Sequence, residues 1–301
     1  MRALPFDEPG RFYRGNLHMH STRSDGALDP AGAIAAYRNH DYDFVSLTDH
    51  FMPRYDWPLV DTRAFRTPTF TTLIGAELHT AAISTGEPWH ILAVGLPLDF
   101  PRHDTAISGA ELAARAREAG AFVAVAHPNW YALRYDEAAS IEAAHAVEVF
   151  NYGCHVEVDR GESWHVTDQL LCAGRRLTAV ATDDSHFKVA DYRGGWVQVK
   201  AASLDPDALL AALKAGHFYS SSGPELRDVR LENGRIRVSC SPVRAIAVTG
   251  RGARSVRLNA APGETVSEAD LPLEKIGDGY CRVTVVDAHG GRAWTNPIWP
   301  E

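Results

Sequence analysis

The chain has 301 residues, of which 45% are hydrophobic, so it can bury a substantial core in one large domain or in a large and a small one. Its 30 Lys and Arg against 38 Asp and Glu give a formal net charge of -8 without a long run of either sign, which disfavours a nucleic-acid or membrane surface. No apolar run reaches the roughly 18 residues of a membrane helix, no signal peptide is recognisable, and the four cysteines form no CxxC pair. We expect a reduced, cytoplasmic protein.

Between residues 15 and 220, short apolar runs alternate with helical patterns. Asp29 followed by Pro, Ser108 in a capping box, and Asp205 followed by Pro each predict a helix start. This alternation predicts a mainly parallel sheet with helices between its strands. About seven or eight such units suggest that the sheet closes into a barrel, with an open sheet as the alternative.

Residues 226–301 have a different pattern, in which short alternating segments are separated by glycine-containing turns. This pattern predicts a small antiparallel β-sandwich-like C-terminal domain. We therefore divide the chain into an α/β domain over residues 1–225 and a β-rich domain over residues 226–301. Twelve of the 14 histidines precede residue 190, so the chemistry is expected in the first domain.

The segment GNLHMHSTRSDG, residues 15–26, places His18 and His20 at the end of a short apolar run. Residues i and i+2 of a strand project from the same face, so both imidazoles are expected to point into one space. That geometry suits two ligands of one metal ion. The alternative is a pair of ordinary, half-buried histidines, and this segment alone does not decide between them.

Polar side chains also follow four further apolar runs, at the point where each predicted strand ends. Parallel strands in a barrel place their C-terminal ends on one face, so these side chains are expected to meet. Buried carboxylates and imidazoles in one cavity would be left repelling or unpaired unless cations joined them. Without cysteine, such a set fits Zn, Mn or Fe. The residues are Asp49, His50, Glu77, His127, Asp183, Asp184 and His186.

The motifs HMHS, TDH, GAE, AHP and DDSH, in this order and each at a strand end, resemble those of the PHP (polymerase and histidinol phosphatase) superfamily of metal-dependent phosphoesterases. The resemblance covers about residues 14–225 and implies a distorted (β/α)7 barrel with two or three metal ions. The STRSDG turn, the WHILAVGL strand and the GHFYSSSGPEL segment before a β-rich tail are most similar to the CehA/McbA-like branch, which includes a carbaryl hydrolase.

The resemblance also implies a set of metal ligands. Glu77 would bridge the first and second metals, and Asp184 and His186 would reach neighbouring metals from one strand end. His90 and Asp25 have alternatives, a stacking histidine at a strand start and a turn-forming aspartate. The implied ligands are His18, His20, Glu77 and Asp184 for the first metal, Glu77, His90 and His127 for the second, and Asp25, His50 and His186 for the third.

Other polar residues are assigned less directly. Asp49 is expected to orient a ligand, and Asp183, beside Asp184, to be structural. Several cations near the motifs are able to neutralise a phosphate, and Arg23 is the strongest of them. The alternative for each of these cations, and for the histidines near the motifs, is an ordinary solvated side chain. The remaining candidates are Arg54, Lys188 and Arg193 as cations, and His79, His155 and His165 at the mouth of the site.

We therefore expect a metal-dependent phosphoesterase that cleaves a small phosphate mono- or diester with a hydroxide shared between two metals. Glu77, Asp184, His186 and Arg23 are the expected catalytic residues. The expected partner is a small-molecule phosphate ester, with no nucleic acid and no membrane, and the oligomeric state is open. The alternatives are a carbamate, amide or ester hydrolase of the carbaryl-hydrolase type, a noncatalytic metal-stabilised scaffold, and a binding module in residues 226–301.

Overall fold

A computed structural model describes residues 4–300, which fold into a mixed α/β structure with 17 strands and six α-helices. The strands are β1 Arg11–Asn16, β2 Phe44–Leu47, β3 His50–Phe51, β4 Thr71–Ala82, β5 Pro88–Val94, β6 Phe122–Val125, β7 Ala146–Asn151, β8 Thr178–Thr182, β9 Trp196–Ala201, β10 Phe218–Ser221, β11 Leu226–Glu232, β12 Arg235–Val243, β13 Ala245–Gly250, β14 Ser255–Asn259, β15 Val266–Pro272, β16 Cys281–Val286 and β17 Arg292–Thr295. The helices are α1 Pro30–Arg38, α2 Gly109–Glu118, α3 Tyr135–Ser140, α4 Tyr152–Val158, α5 Trp164–Cys172 and α6 Pro206–Ala215. None of the helices in the described part is long and apolar enough to cross a membrane.

The three predicted helix starts are confirmed. The Asp29 side chain accepts a hydrogen bond from Gly32 N at 2.7 Å, and Pro30 occupies the first position of α1. Ser108 caps α2 in the same way, and Asp205 caps α6. Each cap pairs a backbone N–H that the first helical turn leaves without a partner.

Seven strands lie side by side in the order β1-β2-β4-β5-β6-β7-β8. Most neighbours are parallel, as expected, but β5 is antiparallel to both β4 and β6. The connection from β4 to β5 spans residues 83–87, where Gly86 has a φ of +92°. A tight turn of this length joins antiparallel strands, whereas a parallel crossover needs a dozen or more residues. The strict strand–helix alternation predicted from the sequence is therefore interrupted here.

The first and last of these seven strands meet through the residues that follow them. Met19 and Ser185 form an isolated parallel bridge, in which His20 N donates to Ser185 O and Asp184 N donates to His18 O, each at 2.9 Å. The chain segments that carry the predicted metal ligands are thus joined backbone to backbone. Below them the interior is apolar and fully buried. Its members include Leu17, Leu92, Phe122, Ala124 and Val180.

The C-terminal strands form two layers. One layer is the three-stranded antiparallel sheet β11-β12-β15, and the other is the series β14-β13-β16-β17. Their inward side chains share one buried core, which includes Val229, Val238, Val248 and Val283. Strand β17 also pairs with β10, so one sheet continues across the predicted boundary at residue 225.

The two-layer core predicts the effect of a buried charge. Val238 is 3% exposed, whereas its neighbour Arg237 projects into solvent from the same strand. We expect Val238→Asp to lower the free energy of unfolding by about 3 kcal/mol or more, because the carboxylate would enter an apolar core without a partner. Arg237→Ala is the control and should change it by about 0.5 kcal/mol or less. Chemical denaturation measures both, and equal effects of the two substitutions would contradict the assignment of this core.

Candidate metal centre

The strand ends bring the predicted ligands together, and most of them line one cavity of about 260 Å³. His18 and His20 follow β1, His127 follows β6, and Asp184 and His186 follow β8. The remaining ligands lie within β3, β4 and β5 or, for Asp25, in the loop before α1. The cavity lining consists of Asp25, His50, Glu77, His90, His127, Trp130, Gly153, Cys154, Glu157, Asp184, His186 and Lys188.

Glu77 lies at the centre of this cluster, with its side chain 1% exposed. Its Oε1 is 2.7 Å from His90 Nδ1 and 3.0 Å from His127 Nε2. Its Oε2 is 2.6 Å from His50 Nδ1 and 3.7 Å from His20 Nε2. The two oxygens therefore face different groups of imidazoles, which is the geometry that a bridging carboxylate requires.

A second carboxylate, that of Asp184, lies beside both His18 and His20. Asp184 Oδ1 is 2.8 Å from His20 Nε2 and 3.2 Å from His18 Nε2. Asp184 has a φ of 55° and His127 a φ of 23°, both in the left-handed region that non-glycine residues seldom adopt. Backbone conformations of this kind are retained mainly where surrounding structure enforces them, often at functional sites.

Asp25 forms a third group with two further histidines. Its Oδ1 is 3.2 Å from His50 Nε2 and 3.3 Å from His186 Nε2. Lys188 Nζ lies 3.4 Å from the other oxygen, Oδ2. Burial alone would raise the pKa of Asp25, but the adjacent imidazoles of His186 and His50 hold that pKa well below its usual range.

The charges of the cluster are mutually dependent. Burial alone would raise the pKa of Glu77, but the imidazoles of His90, His50 and other histidines hold that pKa well below its usual range. Burial alone would lower the pKa of His18, but nearby carboxylates, with Asp184 the strongest, raise that pKa well above its usual value. The site thus balances negative oxygens against positive charge within a buried volume.

The donor atoms fit metal ions. His18 Nε2, Asp25 Oδ1 and Glu77 Oε2 are buried and have no hydrogen-bond partner within the described chain. Several sets of three or four His, Asp and Glu side chains have ligand atoms within 4.8 Å of one another. Buried polar atoms without partners are costly, and cations between them would satisfy them. Imidazole and carboxylate donors together suit Zn, Mn or Fe.

Glu148, on β7, is an important residue that our sequence reasoning did not select. Its carboxylate lies 3.0 Å from His18 Nδ1 and accepts from His127 N at 2.7 Å and from Asn151 Nδ2 at 2.9 Å. It also accepts a hydrogen bond from the Thr182 hydroxyl. A lone glutamate inside the buried strand AVEVFN was the available signal. Glu148 fixes the orientation of His18 and the backbone of His127.

Asp49 and Asp183 both hold backbone segments beside the ligands. Asp49 accepts from Ser21 N and Oγ, each at 2.7 Å, and from Ser24 Oγ at 2.6 Å, and so orders the loop after His20. Asp183 accepts from Tyr37 Oη at 2.7 Å and from the amides of residues 193–195. Burial raises the pKa of Asp183 to about 6.

Among the predicted cations, the structure brings Lys188 to the cavity, whereas Arg23 is exposed and does not line it. Arg23 follows the HxH motif in sequence, but its side chain is exposed, whereas Asp25 of the same turn lines the cavity. His155 and His165 are exposed. His79, in contrast, is 3% exposed and lies within the cluster.

Neither a protein-family model nor a curated protein matches this sequence. Among solved structures, it is similar to a two-domain protein from Bacteroides vulgatus that contains a predicted PHP-like metal-dependent phosphoesterase, with a TM-score of 0.55 and 17% identity over 99% of both chains. Two partial similarities are to an amidohydrolase from Chromobacterium violaceum (TM-score 0.41, 16% identity, 59% of this chain and 89% of that one) and a lesion-specific endonuclease from Pyrococcus furiosus (TM-score 0.43, 14% identity, 67% and 56%). The first similarity shows that this chain shares the fold of the PHP-like two-domain protein along its whole length.

The position of Glu148 predicts a measurable effect on metal affinity. We expect Glu148→Ala to weaken zinc binding about 10- to 100-fold, because His18 would lose the partner that orients its ring. Glu142→Ala, at an exposed position, is the control and should bind zinc as the unmodified chain does. Competition with a chromophoric chelator measures both affinities. Unchanged affinity in Glu148→Ala would show that His18 needs no such orientation.

Proposed function

We propose that this chain is a metal-dependent hydrolase of the PHP type, whose seven neighbouring strands form a distorted (β/α)7 barrel and whose substrate is a small phosphate mono- or diester. The observation that carries the proposal is the Glu77 carboxylate, buried with its oxygens directed toward different imidazole groups. A structural role alone does not account for a carboxylate oxygen that is buried without a hydrogen-bond partner.

We assign the ligands by the groups that the geometry supports. The first group centres on His18 and His20, the second on Glu77 Oε1, and the third on Asp25. Glu77 belongs to the first two groups and would set the spacing between their cations. The proposed groups are His18, His20, Glu77 and Asp184, then Glu77, His90 and His127, then Asp25, His50 and His186.

Bound cations at these positions would lower the pKa of water to near neutrality and take up negative charge that develops on phosphoryl oxygens. The residues of the chain supply position and charge around them. Lys188, which lines the cavity beside Asp25, would contact an anionic substrate oxygen. A cation held by Asp25, His50 and His186 would assist the leaving oxygen. Arg23 is exposed and does not line the cavity, and its catalytic role stays a prediction.

The size and charge of the site favour a small substrate. A cavity of about 260 Å³ holds a phosphate group and a modest leaving group, with Trp130 as an aromatic wall. The net charge of -8 disfavours a nucleic acid, which remains a prediction, as does the cytoplasmic location. The two-domain similarity over 99% of both chains is compatible with the CehA/McbA-like branch, to which we assign the chain on its sequence motifs.

Removal of metal tests the proposal. We expect at least two metal ions per chain by elemental analysis, and loss of hydrolysis of phosphomonoesters or phosphodiesters after chelation, with recovery on adding Zn, Mn or Fe. A parallel panel of carbamates and carboxylic esters tests the alternative reaction. Hydrolysis that persists in protein with only trace metal would refute the proposal.

Glu77→Gln tests the bridging role directly. We expect turnover to fall by about a hundredfold or more, because the amide replaces one ligand oxygen by an NH2 group that cannot bind a cation. The affinity of the chain for one of its metal ions should fall as well. Glu87→Gln, in the exposed turn after β4, is the matched control. Activity and metal content close to those of the unmodified chain in Glu77→Gln would exclude the bridge.

A further inference from the structure

We infer that His79 is a positioning residue that holds His50 with its Nε2 directed at the cation position beside Asp25 and His186. None of the ligand groups assigned above includes His79. The inference rests on the proposed metal-dependent function, and it adds a residue that the resemblance to the PHP superfamily did not imply.

His79 is placed by the same strand as Glu77. The two residues lie two positions apart on β4, so their side chains share one face. His79 is also the direct cross-strand partner of His90 on β5. Its ring lies 4.3 Å from the His90 ring and 4.8 Å from the His50 ring, measured between centroids, and both contacts are edge-on. His79 is therefore packed between two proposed ligands.

The contact with His50 is a hydrogen bond between ring nitrogens. His50 Nδ1 and His79 Nε2 are 2.8 Å apart and share one hydrogen. The other ring nitrogen of His50, Nε2, is 3.2 Å from Asp25 Oδ1. A neutral histidine binds a metal through the ring nitrogen that carries no proton. The hydrogen bond made by the other ring nitrogen holds the proton there, and so determines which nitrogen binds the metal. With His79 as acceptor, the proton of His50 stays on Nδ1, and Nε2 is free to bind.

Because His50 is hydrogen-bonded to His79, one carboxylate oxygen of Glu77 is left without a hydrogen bond. Glu77 Oε2 is closer to His50 Nδ1, at 2.6 Å, yet it has no hydrogen-bond partner. Since His79 is aligned with the N–H of His50, this oxygen remains available to a cation. The arrangement separates two tasks, orientation of His50 by His79 and metal binding by Glu77.

The backbone of His79 is held by a further hydrogen bond. His103 donates from Nε2 to the His79 carbonyl oxygen at 2.7 Å and packs against Trp57. When His79 accepts through Nε2, its own proton is on Nδ1, which is buried without a hydrogen-bond partner in the described chain. A residue that only filled space would not need this costly arrangement, and an apolar side chain would fill the same volume.

Two substitutions separate a positioning role from other roles. His79→Gln keeps an oxygen able to accept the N–H of His50, whereas His79→Leu has similar bulk and no acceptor. The full chain is dialysed against buffered zinc, and zinc per chain is measured by elemental analysis, with the affinity of each site from chelator competition. Circular dichroism confirms that each variant is folded. His165→Leu, an exposed histidine on α5, is the matched control.

We expect His79→Leu to lose one zinc equivalent, or to bind it about 10- to 100-fold more weakly, while His79→Gln and His165→Leu retain the full content. Full zinc binding by His79→Leu would overturn the inference. Equal loss in His79→Leu and His79→Gln would also overturn it, because a side chain able to accept the N–H of His50 would then not restore zinc binding. Should His79→Leu fail to fold, His79→Ala replaces it. A wild-type chain that binds none of zinc, manganese and iron would refute the proposed function as well, whereas zinc-loaded wild type with an unaffected His79→Leu variant refutes only this inference.

Discussion

The carboxylate of Glu77 is almost completely removed from water, and this burial constrains the arrangement of the side chains around it. A buried charge is tolerated only with compensating charge and hydrogen bonds. Strands on both sides of β4 supply that compensation as imidazoles, from His50 on β3 and His90 on β5. The same imidazoles repel one another if they are protonated together, so cations between the donors satisfy the cluster better than protons do. The capacity of this cluster to hold cations thus depends largely on one buried side chain.

The residues that the sequence predicts well are those whose signal is local. His18 and His20 are recognisable because a strand repeats every two residues, and Asp184 and His186 because they end an apolar run. The structure brings these residues together in overlapping groups of possible ligands. Their ligand roles remain predictions, since spacing indicates proximity and not which atom binds which cation.

The residues that the sequence did not select depend on long-range placement. Glu148 contacts His18 across 130 positions of the chain, and no local spacing indicates that pairing. His79 resembles any strand histidine until β5 is known to lie beside it. Arg23 was preferred to Lys188 because it follows the HxH motif, but side-chain direction in a turn is set by backbone geometry. The reversed direction of β5 has a local origin instead, because the short connection between β4 and β5 decides it.

The parallel bridge between Met19 and Ser185 has a consequence for the order of folding. It joins segments 166 positions apart, and the His20 and Asp184 donors meet only when this long loop has closed. Closing such a loop lowers the conformational entropy of the chain before stabilising contacts form to compensate for it. This favours a late and slow closure. The His20 and Asp184 donors are therefore separated until this loop closes. Metal uptake would report completion of the fold, and it would draw the last open species toward the closed state by mass action.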